Sequence, residues 1–390
     1  MKNKLSIFSL GLAIFTMLFG AGNIVFPLIL GREVGSQITP SMIGFLITAV
    51  VVPIIGLSSA ILFEGDYKKF LGNIGQLPSI IIIFIIMVFL IGPLGATTRC
   101  FILSYSAMKY YIPFIPIWAY TLFAAILIFF LTYKENKVVD ILGTVLGPIK
   151  FTLLLAIIIV GMATLMKFQK SAVTSIEGFN LGVKTGYFTL DMLGTIFFAR
   201  LIYDSIKTKF DKLVHPKKII YHCLKAGVIC AFLLGFIYFS FGIISASWAS
   251  KLQGVPKEQL LSILSIKILG QGTGLLANIA VAVATLVTAT ALTTLFADYL
   301  TFTLLKGKIS YHQAVILTLT ICIVMVNLQF DGIMKIISPI AVTIYPSLIV
   351  LSILNIFNKT LNLKEKYIKP TVWATFIVTI MFLYIVPAFV

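Results

Sequence analysis

The chain has 390 residues, of which 59% are hydrophobic and 11% charged, and its mean hydropathy is +1.08. Soluble domains carry about a quarter charged residues, so lipid is the solvent for most of this chain and a separate soluble domain is excluded. The formal charge of +17 does not make it a nucleic-acid binder, because Lys and Arg stand singly or in small groups between apolar runs with no basic surface interleaved with aromatics.

One membrane crossing needs roughly 20 apolar residues. Runs of that length recur between short loops holding Gly, Pro, Lys or Asn, and they predict an all-α integral membrane protein with one membrane domain over residues 1–390. The first run starts with Lys2 and Lys4, as a signal peptide would, but it lacks a small-residue cleavage site and continues through Phe26-Pro27, so it reads as a span. The spans fall at about 5–30, 38–63, 79–108, 113–132, 138–165, 183–206, 217–246, 275–304, 311–328, 332–357 and 370–390. Residues 250–274 are less apolar and predict an external loop with a short helix over 258–269. That gives eleven spans; the odd count and the apolar end at Val390 lead us to expect a twelfth beyond it.

The basic residues set the orientation. Lys68, Lys69, Lys134, Lys137, the group from Lys207 to Lys225, Lys306, Lys308 and Lys359 to Lys369 all fall in alternate loops. The other loops hold about half as many, despite the exceptions around Lys167 to Lys184 and Lys251 to Lys267, so the N-terminus is expected in the cytoplasm. Cys100, Cys223, Cys230 and Cys322 lie in or beside spans without metal-ligand spacing and read as small apolar helix residues.

Two spans are interrupted. The first carries Phe19-Gly20-Ala21-Gly22-Asn23 at mid-membrane, and the sixth carries Gly186-Tyr187-Phe188-Thr189-Leu190-Asp191-Met192-Leu193-Gly194. Irregular backbone at that depth is tolerated only where protein or a water-filled cavity satisfies its polar groups, so both breaks are expected to face a site. They lie five spans apart, as in a five-plus-five inverted repeat, with residues 1–165 as the first repeat, 183–357 as the second and 370–390 as an additional helix.

The chemistry of the breaks narrows the ligand. Freed N–H groups of Gly20, Ala21, Gly22 and Asn23 at the start of a half helix suit a carboxylate, and carbonyls near Thr16 and Phe19 suit a cation. Asp191 either binds the ammonium of a zwitterion, handles the coupling cation, or caps a second half helix beginning near Leu193. The eighth span is rich in hydroxyls, at Thr285, Thr288, Thr290, Thr293 and Thr294; Ala284 and Thr288 matter there only if they face the first break. Arg99, after the broken stretch Gly92-Pro93-Leu94-Gly95, reads as structural or gating: it either pairs with an acid such as Asp191 or Asp298 or forms a gate. Arg200 with Asp204 forms an i, i+4 pair, and Lys150 snorkels toward an interface. His215, His222 and His312 lie in or beside cytoplasmic loops, and neither a metal-hydrolase motif, a nucleophile elbow nor a phosphate-binding loop is present. An enzyme and an ATP-driven pump are therefore disfavoured, no cofactor is expected, and uphill transport would draw on an ion gradient.

The stretch from Phe19 to Pro27, ending in Leu30-Gly31, resembles the opening signature of the bacterial branched-chain amino acid:cation symporters of the BrnQ type. Ile91-Gly92-Pro93 followed by Arg99 is similar to that family's third-helix segment, Gly186 to Asp191 to its Gly-Tyr-x-Thr-Met-Asp stretch, and Tyr345-Pro346 to its tenth-helix Tyr-Pro. The resemblance implies uptake of leucine, isoleucine and valine with sodium, or in some members protons, through a LeuT-like fold with discontinuous helices 1 and 6 in the bacterial inner membrane. It implies a substrate site at Gly20, Ala21, Gly22, Asn23, Phe188, Thr189, Leu190 and Asp191, with Phe188 and Leu190 lining an apolar pocket. It also implies a sodium site at the carbonyls of Thr16 and Phe19 with Ala284 and Thr288. The family has adjacent threonines in helix eight, whereas Val287 precedes Thr288 here, so one hydroxyl is missing and sodium and protons both stay open. Typical members have twelve spans. A same-fold transporter of another amino acid, such as methionine, and a non-transporting sensor are the alternatives; the expected partners are a small amino acid and the bilayer, no nucleic acid is expected, and the oligomeric state is left open.

Overall fold

Backbone polar groups have no water to bond in hydrocarbon, which restricts a chain of this composition to helices or a closed barrel. The structure is a computed structural model that describes residues 7–133, 147–209 and 216–385, and every regular element among them is helical. Lys2, Lys4, Lys134, Lys137, His215 and Val390 lie outside the described residues, as does the side chain of Lys150.

The first span is two helices, α1 (Ile7–Leu18) and α2 (Ala21–Val34), parted at Phe19-Gly20. The second runs through α3 (Ile38–Leu46), a π-helical turn at Ile47–Val51, and α4 (Val52–Leu62), and the short α5 (Tyr67–Gly72) follows. The third, α6 (Gln76–Ile85) with a π turn at Ile86–Ile91, stops at the Gly92-Pro93-Leu94-Gly95 stretch and resumes as α7 (Ala96–Met108). Then come α8 (Ile117–Thr132), α9 (Gly147–Ala163), the sixth span as α10 (Ser175–Tyr187) and α11 (Asp191–Lys209), and α12 (Pro216–Ser247). After the short α13 (Ala249–Leu252), α14 (Leu260–Asp298) bends at Gly270, whose φ of +79° separates an outer helix from the eighth span. The remaining helices are α15 (Tyr311–Met325), α16 (Gln329–Leu361) and α17 (Ile368–Ile380). Six helical stretches among the described residues are long and apolar enough to cross a membrane, two of them each reaching across two of the predicted spans, and the short helix before Gly270 falls where it was expected.

The sixth span departs from the expected bounds at both ends of its first half. It starts at Ser175 and not at 183, because Thr174 and Glu177 form a reciprocal capping box: the Glu177 N–H donates to Thr174 Oγ1 at 3.3 Å, and Glu177 Oε2 accepts the Thr174 N–H at 2.8 Å. Glu177, Asn180 and Lys184 lower the hydropathy of that first half and hide it from an apolar-run reading. Its second half starts at Asp191, two residues before the expected Leu193.

Burial places the broken helices at the centre. Every α2 residue from Ala21 to Gly31 is buried, the pattern of a helix surrounded on all sides, and α2 packs on α12, α3, α14, α7 and α10. The outer helix α8 instead exposes Trp118, Phe123 and Phe130, which in this setting face lipid. The second break is fixed against the second span by a glycine seam. Gly178, Gly182 and Gly186 follow one face of α10, and a Cβ at Gly182 would stand 1.9 Å from the Ser41 carbonyl oxygen and one at Gly186 1.9 Å from Thr48 Oγ1. Small residues at four-residue spacing thus let the α10 and α3 backbones touch, the commonest way for helices to adhere in lipid, where no hydrophobic force draws them together.

Candidate transport site

At the first break α1 closes with the Phe19 N–H donating to the Phe15 carbonyl at 2.8 Å. Gly20 is extended (φ −117°, ψ −153°), a conformation open to any residue, so the requirement for glycine there is one of space. A Cβ on Gly20 would lie 2.8 Å from Thr288 Cγ2, and one on Gly22 would lie 3.1 Å from the Thr189 carbonyl oxygen and 3.2 Å from Thr189 Cα. The two glycines therefore let the first break press against the eighth span on one side and against the second break on the other.

The second break is a chain of tight turns. The N–H groups of Phe188, Thr189 and Leu190 donate to the carbonyls of Thr185, Gly186 and Tyr187 at 3.1, 3.3 and 3.2 Å. Leu190 then turns the chain with φ +64°, a left-handed conformation that costs a non-glycine residue roughly 1–2 kcal/mol. Thr189 Oγ1 donates to the Gly186 carbonyl at 2.9 Å and accepts the Asp191 N–H at 3.4 Å, so the break caps itself.

Asn23 and Asp191 join the two breaks. Asn23 Oδ1 accepts the Gly20 N–H at 2.8 Å, the reach-back half of a capping box, while its Nδ2 donates to both carboxylate oxygens of Asp191 at 2.7 Å. Only this orientation of the amide satisfies both partners. Tyr238 on α12 donates its hydroxyl to Asp191 Oδ2 at 2.6 Å and also meets Asn23 Nδ2. All three side chains are buried, with Asp191 2% exposed, and neutral donors surround the carboxylate. The bland reading of Asp191 as a helix cap holds in part, since it opens α11, but its carboxylate points to the first break and not along its own helix.

Of the expected cation ligands, Thr288 and Phe19 meet across the first break and the eighth span, and Ala284 is the i−4 neighbour of Thr288 on its own helix. Thr288 Oγ1 lies 2.9 Å from the Phe19 carbonyl oxygen and 3.4 Å from that of Ala284. Thr285, Thr290 and Thr294 bond back to their own helix, and the Thr16 hydroxyl donates to the Leu12 carbonyl at 2.7 Å, which leaves the Thr16 carbonyl as the atom the site expectation concerns.

Between the breaks lies a cavity of about 40 Å³, a few times the roughly 10–15 Å³ that one water needs. Gly20, Ala21, Gly22, Asn23, Thr189, Leu190, Asp191 and Thr288 line it; Phe188 does not, its ring packing on Phe26 with centroids 5.8 Å apart. Met17, Leu18, Ile91, Phe198 and Leu292 supply apolar wall.

Residues 3–386 match the family described as branched-chain amino acid transport protein. The chain belongs to that family. It is 30% identical over 361 residues to the branched-chain amino acid permease BraB of Bacillus subtilis, covering 90% of this chain and 79% of that one. A putative branched-chain amino acid carrier protein of Staphylococcus saprophyticus is 29% identical, with 86% and 78% covered. Among solved structures, the nucleobase-cation-symport-1 transporter Mhp1, closed with bromovinylhydantoin bound, aligns with a TM-score of 0.64 at 15% identity, covering 91% of this chain and 78% of Mhp1. A manganese transporter of Eremococcus coleocola aligns with a TM-score of 0.64 at 11% identity, covering 96% and 84%. At such identities the likeness is one of fold, the LeuT-like architecture with discontinuous helices.

One residue of this transporter's site, Tyr238, escaped the sequence, and a second, Arg99, was singled out there but meets other partners than an acid. Tyr238 sits in an ordinary apolar helix, where an aromatic carries no signal. Arg99 was expected to pair with Asp191 or Asp298, yet among the described residues no ion pair joins it to either acid; it lines the cavity and donates to the Phe188 carbonyl at 3.0 Å. Its signal was present in the broken stretch just before it, which turns α7 so that its first residues face the centre. Arg200 and Asp204 do form the expected pair, 2.6 Å apart and exposed.

Proposed function

We propose that this transporter carries leucine, isoleucine and valine across the bacterial inner membrane into the cytoplasm by alternating access, in symport with sodium, its N-terminus in the cytoplasm. The observation that carries this reading is the meeting of the two breaks at one cavity, with a helix N-terminus at Gly20 to Asn23 and a buried carboxylate at Asp191. The α-carboxylate of an amino acid suits the first and its ammonium the second. Leu18, Leu190, Leu292 and Ile91 offer an aliphatic side chain an apolar surround. Leucine carries three more carbons than alanine, worth about 2.4 kcal/mol at ~0.8 kcal/mol per buried methylene, whereas leucine and isoleucine are equal by this measure. The cavity admits water molecules and not an amino acid, so substrate entry requires the repeats, 1–165 and 183–357, to part.

The convergence of Phe19, Ala284 and Thr288 oxygens supports sodium, a hard cation that takes oxygen ligands. Proton coupling is the second reading, favoured by the buried Asp191 carboxylate and by the missing hydroxyl at Val287. Uptake of labelled leucine into vesicles containing the purified protein tests both. Accumulation that requires an inward sodium gradient supports the first; accumulation driven by a proton gradient without sodium supports the second. Absence of accumulation of any branched-chain amino acid under either gradient contradicts symport.

A further inference from the structure

Arg99 is 1% exposed, yet it has no acidic partner within ion-pair distance among the described residues. A guanidinium has five N–H donors in a planar fork. The protein gives this one the Phe188 carbonyl at 3.0 Å and the Met334 sulfur at 3.6 Å, both on Nη1, and the face of the Phe26 ring, 5.7 Å from Cζ to the centroid. Nε is buried with no hydrogen-bond partner. A buried charge normally acquires a counter-charge, because leaving it uncompensated costs several kcal/mol. Asp191 lines the same cavity and is the nearest acid the cation senses, but it stands beyond ion-pair distance and its oxygens accept from Asn23 and Tyr238.

The position of the guanidinium says what would complete it. The Phe188 carbonyl oxygen is 3.0 Å from Arg99 Nη1 and 3.3 Å from where a Cβ on Gly22 would be. The cation thus sits beside the first turn of α2, whose N-terminal N–H groups and dipole favour an anion at the same place. The unpartnered Nε of a buried guanidinium and the N-terminus of α2 thus border one cavity, the combination that suits a carboxylate, with Asp191 elsewhere on the same wall.

We propose that Arg99 binds the α-carboxylate of the transported amino acid and supplies the positive half of a charge pair that the zwitterion completes. The assignment rests on the transport reading above and deepens it: the substrate class must carry a free carboxylate, so leucine is accepted and leucinamide, which keeps the ammonium but lacks the carboxylate, is refused.

The test is titration of the purified protein with leucine and with leucinamide, following the ligand-induced rise in unfolding temperature, for wild type, Arg99→Gln and Arg99→Lys. Wild type is expected to prefer leucine by at least about 100-fold, because a site built around buried polar groups rejects an analogue that leaves them unpaired. In Arg99→Gln that preference should collapse to within about threefold, with leucinamide binding unchanged, and Arg99→Lys should fall between, since Lys keeps the charge and loses the fork. An Arg99→Gln protein that binds leucine with the preference intact overturns the assignment and leaves Arg99 a structural or gating residue, as does one in which both ligands weaken equally. If Arg99→Gln does not fold, wild type and Arg99→Lys decide: equal wild-type affinity for leucine and leucinamide refutes the role. A wild type that binds neither leucine, isoleucine nor valine overturns the transport reading itself, and is distinct from failure of Arg99 alone.

Discussion

The two breaks solve one problem in different ways. The second is locally complete: three turn bonds, the Thr189 hydroxyl and a left-handed Leu190 account for its backbone within residues 185–191. The first holds little of its own geometry. Gly20 is merely extended, and what fixes it is the absence of a Cβ at Gly20 and Gly22, the reach-back of Asn23, and the surfaces of Thr288 and Thr189. The first break is therefore shaped chiefly by what packs on it, whereas the second holds its backbone by its own turns and relies on the glycine seam only for where it sits. A change in the first should register at the sites it touches, whereas a change in the second should act where it is made.

The strongest blow to this comparison falls on the residue the breaks share. Asp191→Asn sets an amide N–H₂ or a neutral oxygen against Asn23 Nδ2 and Tyr238 and removes the charge the ammonium would meet. Leucine uptake in vesicles should fall on the order of 100-fold, about 2.8 kcal/mol at 1.4 per tenfold, with the protein still inserted and monodisperse. Near-normal uptake would reduce Asp191 to a helix cap.

The glycines sharpen the contrast at a smaller scale. Gly20→Ala places a Cβ against Thr288 Cγ2, a side-chain end that can rotate only by taking its hydroxyl off the Phe19 carbonyl. Gly22→Ala meets Thr189 backbone, which must give by a few tenths of an ångström. On the sodium reading proposed above, the first should raise the half-saturating sodium concentration roughly tenfold and the second the leucine KM by about as much, each near 1.4 kcal/mol. Uptake measured against both variables separates them, and a reversed pattern would contradict the assignment of neighbours. The smallest effect belongs to a purely local element: Thr174→Ala removes the cap of α10 and should lower stability by about 1 kcal/mol in thermal unfolding while leaving uptake kinetics alone.

How much of this could be read from the sequence follows from the same contrast. Glycines, an amide and a carboxylate inside apolar runs are anomalous wherever they occur, so the breaks at Gly20 to Asn23 and Gly186 to Asp191 were legible, and their five-span separation gave the architecture. The start of α10 was not, because a capped, polar first half looks like a loop to a hydropathy window. Thr288 could not be chosen from the other eighth-span threonines by spacing; the family resemblance singled it out, and its reach to Phe19 is a fact of packing. Arg99 was legible as an intramembrane cation, but its distance from Asp191, with which it forms no ion pair, depends on how α7 and α11 pack and has no sequence signal. Tyr238 had no sequence signature, because its role depends on which neighbour α12 presents it to.

Asn23 and Asp191 bond the two breaks into one site. A double-mutant cycle on leucine affinity, with Asn23→Ala, Asp191→Ala and the pair, tests this most directly. Strong non-additivity is expected, with the second substitution adding little once the first is made and a coupling of about 1–3 kcal/mol. Additive losses would mean that the breaks contribute separately and that the bond between them has no part in holding the substrate.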